Sequence, residues 1–483
     1  ANFDNYIYPS RYNDEKEMVR YFAFEFIAEE EIENNTNWSI KSEKIKADGV
    51  IYGVIPKNNS NISELQSKLL ESSNGHNQFV FILPKQFKDI SAIAQEYKAV
   101  SILKELVIDD AVLLDEYDVI YDDLREIINS FISTYTHPEE AKATYIHNGE
   151  LKSITRKATL TGLLSDICDD VYSLTPVVNN EALNRDELTS VANNSRNKLI
   201  AALLRNNLEH NLGLTGAGQE VSMMRSTLVR TGILETDEEH TKLNLNPSDV
   251  LVKNMLSTII EFIVEGKEKG EVSLAHLYER LQSPEFEIGL RKGLIPIYVA
   301  VVFHEYKKEI ILQDRFGQIA INADTLVQIN ANPAGYSLVY LDWNPEKQEF
   351  ISKLTDVFSD FIVEEEKASG AYEFVVSAMR RWYLSLPKYS KELKKKTNGE
   401  KVNKRYVSLL RLLKQGVSGH ELLFEKLPKE FGYNETFNVG LVENIEACKK
   451  FYDESLSVLK KALIDDVKKI FEHCFITKSS RSK

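Results

Sequence analysis

GVIYGVI (49–55), NISELQSKLLES (61–72) and QFVFILP (78–84) decide the reading of the N-terminal region. The first and third stretches are short continuous apolar runs rich in β-branched and aromatic residues, as expected of strands buried on both faces. The middle stretch is amphipathic with helical spacing, and Asn61 or Ser63 is placed to cap its start. A strand, a helix and a strand joined by a right-handed crossover make the two strands parallel neighbours. Pro56 and Pro84 end the strands, because proline cannot donate to the ladder.

Upstream, DEKEMVRYFAFEFIAEEEI (14–32) reads as a helix, with Met18, Phe22 and Phe26 recurring every four residues. Downstream, residues 87–135 read as two or three helices. TYIHNGEL (144–151) reads as a hairpin, since Asn148-Gly149 suits a type I′ turn. Helices resume over 158–207, one of them starting near Asn184. Residues 248–320 predict three helices and a hairpin. SDVLVKNMLSTIIEFIVEG has Ser248 as cap and Gly266 as stop. VSLAHLYERLQS begins at Ser273, LIPIYVAVVF is nearly all apolar, and two β-like runs flank DRFGQ. Three helices followed by a hairpin is the order of a winged helix. NADTLVQINANP is a further short helix and YSLVYLDW (336–343) a further strand; the chain is helical again from 346. The expectation is a mainly α, multi-domain protein with a small α/β (βαβ) unit and an internal winged-helix-like domain. Its divisions are a small α/β unit with flanking helices over 1–108, a helical domain over 109–240, a winged-helix-like domain over 241–345 and a helical C-terminal domain over 346–483.

The 483 residues, 43% hydrophobic and 27% charged, fit a globular chain with substantial cores. The three cysteines, Cys168, Cys448 and Cys474, are far apart and form no C-x-x-C, which argues against a disulfide framework and for a reducing, cytoplasmic setting. No apolar run approaches the roughly 18–20 residues of a membrane span, and the N-terminus lacks a basic stretch followed by an apolar one. The chain starts at Ala1, and the expectation is that Asn2 begins an excised fragment of a longer protein.

The net charge of −14 disfavours a whole surface that binds nucleic acid. Its distribution is uneven. Residues 1–150 hold 14 Lys/Arg against 27 Asp/Glu, whereas residues 380–415 hold 12 Lys/Arg against two acids. In that basic segment Arg380, Arg381, Lys388, Lys394, Lys395, Lys396, Lys404 and Arg405 are candidates to neutralise phosphates. Trp382, Tyr383, Tyr389 and Tyr406, interleaved with them, could stack on bases or pack into a core. The plainer alternatives are a solvated loop between helices, or a loop that docks on the acidic N-terminal region. Arg291 and Lys292, ahead of the third helix of the winged-helix candidate, and Arg315 on its wing are the other candidate nucleic-acid contacts.

The chemical motifs fail at identifiable positions. GLTGAGQE (213–220) has the glycines of a phosphate loop, but Gln219 and Glu220 stand where Lys and Ser/Thr would reach phosphate and magnesium, so it reads as a helix-ending loop. His304-Glu305 and His420-Glu421 lack the second histidine of a zinc site. The paired acids Asp109–Asp110 and Asp122–Asp123 read as a solvated helix face rather than metal ligands. Glu43, Asp48 and Lys57 around the first buried strand have the residue types of a metal-dependent nuclease, at loose spacing.

YPSRYNDEKEMVRYF (8–22), ADGVIYGVI (47–55) with FVFILP (79–84), NNEALNRDELTSVANNSRNKLI (179–200) and LYERLQSPEFEIGLRKGLIPIYVAVV (277–302) come in the order in which similar strings occur downstream of the nucleotide-binding module of large prokaryotic phage-defence P-loop ATPases. The chain resembles that region of the BREX-type ATPase and its relatives over roughly residues 8–345. The resemblance implies an ATP-dependent, DNA-associated complex. ATP and magnesium belong to the parent machine, and no cofactor, metal or catalytic residue is carried over to this chain. The expected partners are double-stranded DNA and other subunits of a defence complex, without a membrane, and with a homo-oligomer as one arrangement. The alternatives are a divergent nuclease in the α/β unit and a structural scaffold.

Overall fold

The computed structural model describes residues 5–33, 38, 41, 46–57, 60–205, 207–236, 241–367, 372–433, 437 and 439–479. The chain divides into two compact units, one of Ala1–Leu188 with Arg280–Gly293 and one of Thr189–Glu279 with Leu294–Lys483. It is mainly helical, with a mixed six-stranded sheet in the first unit. No helix among the described residues is long and apolar enough to cross a membrane.

The sheet of the first unit runs in sequence order: β1 (Tyr6–Ile7), β2 (Phe22–Ala28), β3 (Gly49–Ile55), β4 (Phe79–Pro84), β5 (Ala143–His147) and β6 (Glu150–Lys152). β2, β3 and β4 are parallel, and β1, β5 and β6 are antiparallel to their neighbours. Helix α1 (Ser10–Lys16) precedes β2, the short α2 (Glu29–Glu33) follows it, and α3 (Ile62–Ser73) joins β3 to β4 as the apolar runs predict. The Asn61 side chain accepts from the Ser63 and Glu64 amides, capping α3. Between β4 and β5 lie α4 (Ser91–Leu106) and α5 (Ala111–Thr136), and after β6 comes α6 (Lys157–Val171). The expected boundary at 108/109 falls between α4 and α5, whose Tyr97 and Tyr121 rings stack.

Alternation along β3 sends its residues to two cores. Val50, Tyr52 and Val54 join Leu65, Leu69, Phe79, Phe81 and Trp38; Ile51 joins Phe22, Phe24, Val80, Ile82 and Leu164 on the opposite face. Gly53 faces the β2 aromatics so closely that a Cβ there would come within 2.9 Å of Phe24. The β5–β6 turn has Asn148 and Gly149 at φ 47° and 76°, both positive as a type I′ turn requires.

The helix expected over 14–32 is instead α1, a left-handed Glu17 that ends it, and strand β2. The spacing Met18, Phe22, Phe26 fits a helix, but Phe22 and Phe24 also alternate. Pairing β2 along all seven residues of β3 buries both rings, and it satisfies the backbone of a strand that β4 covers on one side only. The helix expected near Asn184 begins later. The Asn184 side chain donates to the carbonyls of Glu17 and Val178, and α7 (Ser190–Leu203) starts behind a Thr189 cap.

The second unit begins with α7. Gly213 closes a short 3-10 turn (His210–Gly213) and Gly218 opens the short α8 (Gln219–Met224), so the glycine cluster both ends one turn and starts a helix. A small hairpin, β7 (Leu234–Thr236) and β8 (Thr241–Leu243), leads to α9 (Val250–Lys269). Asp249, not Ser248, caps α9, and the helix runs through Gly266 to stop at Gly270, whose φ is 79°. Then come β9 (Glu271–Ser273), α10 (Leu274–Gln282), α11 (Ile295–Tyr306), β10 (Ile310–Asp314), β11 (Gly317–Ile319), α12 (Ala323–Ala331) and β12 (Tyr336–Tyr340). The strands form an antiparallel sheet in the order β11-β10-β12-β9. The rest is helical: α13 (Pro345–Val357), α14 (Glu364–Lys367), α15 (Glu373–Ser385), α16 (Lys388–Glu392), α17 (Lys404–Gln415), α18 (Leu427–Phe431) and the long α19 (Val439–Ser479). Their core holds Phe350, Trp382, Leu409, Phe424 and Tyr452.

Candidate functional site

Two constellations draw on the chemistry-bearing residues, one in each unit. In the first unit, β2 and β3 begin side by side, which brings Arg20 and Asp48, the residues just before them, to the same sheet edge. Their side chains are 1% and 3% exposed, and Arg20 Nη1 donates to Asp48 Oδ1 at 2.7 Å. The 280–293 segment supplies Arg291, whose Nη2 donates to Asp48 Oδ2 at 2.7 Å and to the Val19 carbonyl at 2.7 Å, and whose Nη1 reaches Asp186 at 3.3 Å. The Tyr21 amide also donates to Asp48 Oδ2, at 3.0 Å. Arg20 Nη2 donates to the Gly289 carbonyl at 2.8 Å, and its guanidinium lies 3.4 Å from the centre of the Tyr172 ring.

Burial alone would raise the Asp48 pKa, but Arg291 and Arg20 outweigh it and hold the carboxyl below the usual carboxylate range. Burial likewise opposes the charge on Arg20, and Asp48, with Tyr12 and Tyr172, more than restores it, so its pKa is raised. A cleft of about 480 Å³ is lined by Arg20, Lys46, Asp48, Gln78, Asp186 and Arg291 among others. Three cations, Arg20, Lys46 and Arg291, and three carboxylates, Asp48, Asp186 and Glu285, balance there. Both oxygens of Asp48 are occupied by donors, which suits a structural tie between the sheet edge and the 280–293 segment better than a metal ligand or a base.

Of the nuclease constellation, Glu43 lies outside the described residues. Asp48 and Lys57 stand beyond opposite ends of β3, on the order of 30 Å apart along the chain at about 3.3 Å per residue. Lys57 lies within 3.9 Å of Glu30. Asp110 caps α5 by accepting from the Val112 and Leu113 amides. Among the described residues no group of three or more His, Cys, Asp or Glu is placed to hold a metal ion.

The second constellation is the basic segment of the second unit. Between α16 and α17 the chain makes a small hairpin. Lys395 bridges Lys401, the Lys396 amide donates to the Glu400 carbonyl at 2.7 Å, and the Val402 amide donates to the Lys394 carbonyl at 3.1 Å. Gly399, at φ 85°, closes the turn. Val402 is buried and anchors the base of the hairpin in the helical core. Lys388, Lys394, Lys395, Lys396, Lys401, Lys404 and Arg405 are all exposed. Within the hairpin the acid Glu400 pairs with Lys396 at 3.2 Å.

The other sequence candidates lie elsewhere. Arg381 is held by both oxygens of Glu366, at 2.7 and 2.8 Å, and by the Phe361 carbonyl. Arg380 donates to the Val417 carbonyl, and burial lowers its pKa. Arg291 and Lys292 belong to the first unit, where Asp186 receives the Lys292 amide at 3.0 Å. Arg315 sits exposed at the β10–β11 turn, 4.5 Å from the centre of the Phe316 ring, and Phe316 is 82% exposed. Three of the four interleaved aromatics turn inward. Trp382 is fully buried with its indole N–H on Asp453, Tyr383 is half-buried against the helical core, and Tyr406 packs on Phe451. Sequence reasoning missed Arg20; the available signal was a charged residue just ahead of each of two apolar strands.

Compared with models of protein families, with curated proteins and with solved structures, the chain finds no match.

Proposed function

We propose that this chain is a non-catalytic, DNA- or partner-binding region of a larger ATP-dependent, defence-type machine, and that the 388–405 segment of the second unit, a hairpin with its flanking helix ends, is its phosphate-contacting surface. The carrying observation is seven exposed cations on a short, core-anchored segment that includes only two acids, Glu392 and Glu400. Exposed cations, most of them without carboxylate partners among the described residues, are what a polyanion recruits by releasing its counterions.

The finer winged-helix reading rests on the succession α9, β9, α10, α11, then β10 and β12 pairing antiparallel beside β9. On that reading the β10–β11 turn, with Arg315 and Phe316, is the wing. Helix α11 is buried from Ile295 through His304, so it has no face to lay in a groove. Contacts to DNA in this proposal therefore come from the wing and the lysine hairpin.

The test is fluorescence anisotropy of a labelled duplex across a salt series, with the Lys394→Glu, Lys395→Glu, Lys396→Glu triple variant alongside. The expected result is binding that weakens steeply with salt, with the slope of log K against log salt reduced by about 0.9 for each phosphate contact the variant loses. Absence of binding by the unaltered chain at low salt overturns the proposal, and so does a variant that binds as well as the parent.

A further inference from the structure

In open sheets, ligands settle beyond the carboxyl ends of the parallel strands where the strand order reverses; this sheet keeps sequence order throughout, and its carboxyl end is marked by a cavity instead. The Asp48 network lies at the opposite, amino end of β2 and β3, so the carboxyl end is a separate place. It holds a cavity of about 380 Å³, within the size range of small-molecule sites.

The last residues of β3 and β4 and those that follow them supply one part of its lining: Ile55 and Pro56, then Pro84, Lys85, Gln86 and Lys88. The last turns of α5 supply Phe131, Thr134 and Tyr135, and the approach to β5 supplies Ala141 and Lys142. These walls are fixed by the fold. The Tyr135 hydroxyl donates to the Val54 carbonyl at 2.9 Å, the Phe131 and Tyr135 rings pack 5.3 Å apart, and the Lys85 amide donates to the Lys142 carbonyl at 2.9 Å. Thr134 is buried, and its Oγ1 has no hydrogen-bond partner among the described residues. Buried polar groups are almost always satisfied, by protein, water or ligand.

Three lysines stand on this cavity in a region of the sequence whose net charge is strongly negative. Lys142 pairs with Glu140 at 2.5 Å. Lys85 and Lys88 are exposed, and no carboxylate pairs with either among the described residues.

We infer that this cavity binds a small organic anion: a phosphate or carboxylate held by Lys85 and Lys88, on a flat apolar body seated against Phe131, Pro56 and Pro84. The strand ends and α5 give the apolar contact, and the lysines give the charge. Either half alone holds such a ligand poorly, because an apolar wall does not stabilise an anion and two solvated lysines do not hold a free ion. This site is independent of the proposed DNA surface, which lies in the other unit.

The probe is phenyl phosphate, with inorganic phosphate as the ion without a body. Binding to the full chain is followed by the methyl resonance of Ile55, assigned with Ile55→Val. The expected result is a saturable shift with phenyl phosphate at millimolar concentration and a much weaker one with inorganic phosphate. Lys85→Glu with Lys88→Glu should raise Kd about tenfold or more, from the loss of charge-assisted contacts. Both replaced residues are exposed, so the variant is expected to fold, and an unchanged melting temperature verifies it. As a second variant, Phe131→Ala should weaken phenyl phosphate and leave inorganic phosphate unchanged. No Ile55 shift with millimolar phenyl phosphate overturns the inference. Equal affinity for the two probes, or binding indifferent to the lysine variant, overturns it as well.

Discussion

Replacing Asp48 by alanine tests whether the Arg20–Asp48–Arg291 cluster holds the first unit together. Asp48 is 3% and Arg20 1% exposed at the side chain, and they meet at 2.7 Å. Removing the carboxylate leaves the Arg20 guanidinium buried, with the Gly289 carbonyl, the Thr175 hydroxyl and the Tyr172 ring among its remaining neutral contacts. Breaking one side of a buried pair costs about 3–5 kcal/mol, most of it the stranded charge. That is a large part of the roughly 5–15 kcal/mol that holds a typical domain folded. Arg11 offers the contrast. It reaches Asp169 at a comparable 2.6 Å, but the two side chains are 42% and 38% exposed, and water screens such pairs to below about 1 kcal/mol. The assay is urea unfolding with hydrogen exchange read on peptides covering β3, so that the first unit is followed by itself. Asp48→Ala should lose about 3–5 kcal/mol and Arg11→Met under about 1. Combining Asp48→Ala with Arg20→Met should cost clearly less than the two single changes added together, because no charge is then stranded. An Asp48→Ala loss under about 1 kcal/mol, or strict additivity in the double variant, refutes the reasoning. The pH dependence has a definite sign. The Asp48 pKa is lowered by folding, so its contribution is complete above the unfolded carboxyl's value of 3.8 and is lost as pH falls below it.

In the second unit, His304 is buried with Nδ1 donating to the Leu203 carbonyl at 2.7 Å, and burial, with Lys307 nearby, lowers its pKa to about 4 from 6.5. Its neutral form is therefore the native one. Stability is complete above pH 6.5 and falls by up to about 3 kcal/mol as pH drops toward 4. Unfolding of the second unit measured across that window should show the slope, and His304→Gln should remove it; an identical slope in the variant contradicts the assignment. Gly293 faces the carbonyl oxygens of Leu183 and Arg185, and an added Cβ would overlap the first and come within 2.9 Å of the second. Gly293→Ala should destabilise the first unit by about 1–3 kcal/mol, as overpacking against backbone does, and a melting temperature equal to the parent's rules that out.

The βαβ core was legible because its signal is local. β3 and β4 are continuous apolar runs, and Asn61 announces the helix between them. The Asn148-Gly149 turn was legible for the same reason. β2 was not, since residues 18, 22 and 26 fit a helical stripe, and only the unpaired edge of β3 decides for a strand. The Asp48 network was less legible still. Arg20, Asp48 and Arg291 are separated by 28 and 243 residues, and they meet only because the 280–293 segment belongs to the first unit. The exposed lysines of the 388–405 segment could be read as candidates from charge density alone. That the neighbouring aromatics pack inward could not, because Trp382 and Tyr406 find Asp453 and Phe451 on a helix some 45 to 70 residues away.

The fate of the candidate cations follows side-chain type in part, with Arg315 and Arg405 exposed like the lysines, and the tendency bears on what kind of binding to expect. Arg291, Arg380 and Arg381 spend their donors on Asp48, on the Val417 carbonyl and on Glu366 within the chain. Lys388, Lys394, Lys395, Lys396 and Lys404 remain outward. A guanidinium is weakly hydrated, planar and able to grip two acceptors at once, so it is the cation that folding draws inward. An ammonium on a flexible stem is strongly hydrated and stays in water. Lysines contact phosphate as point charges, whereas reading a base edge favours a fixed, bidentate donor set. A surface left mostly to lysines, with most of its aromatics packed away, is therefore suited to the backbone of a nucleic acid rather than to its sequence. If the proposed surface binds DNA, its affinity should follow salt steeply and duplex sequence hardly at all. A strong preference for one sequence over another of equal length would place recognition on residues other than these.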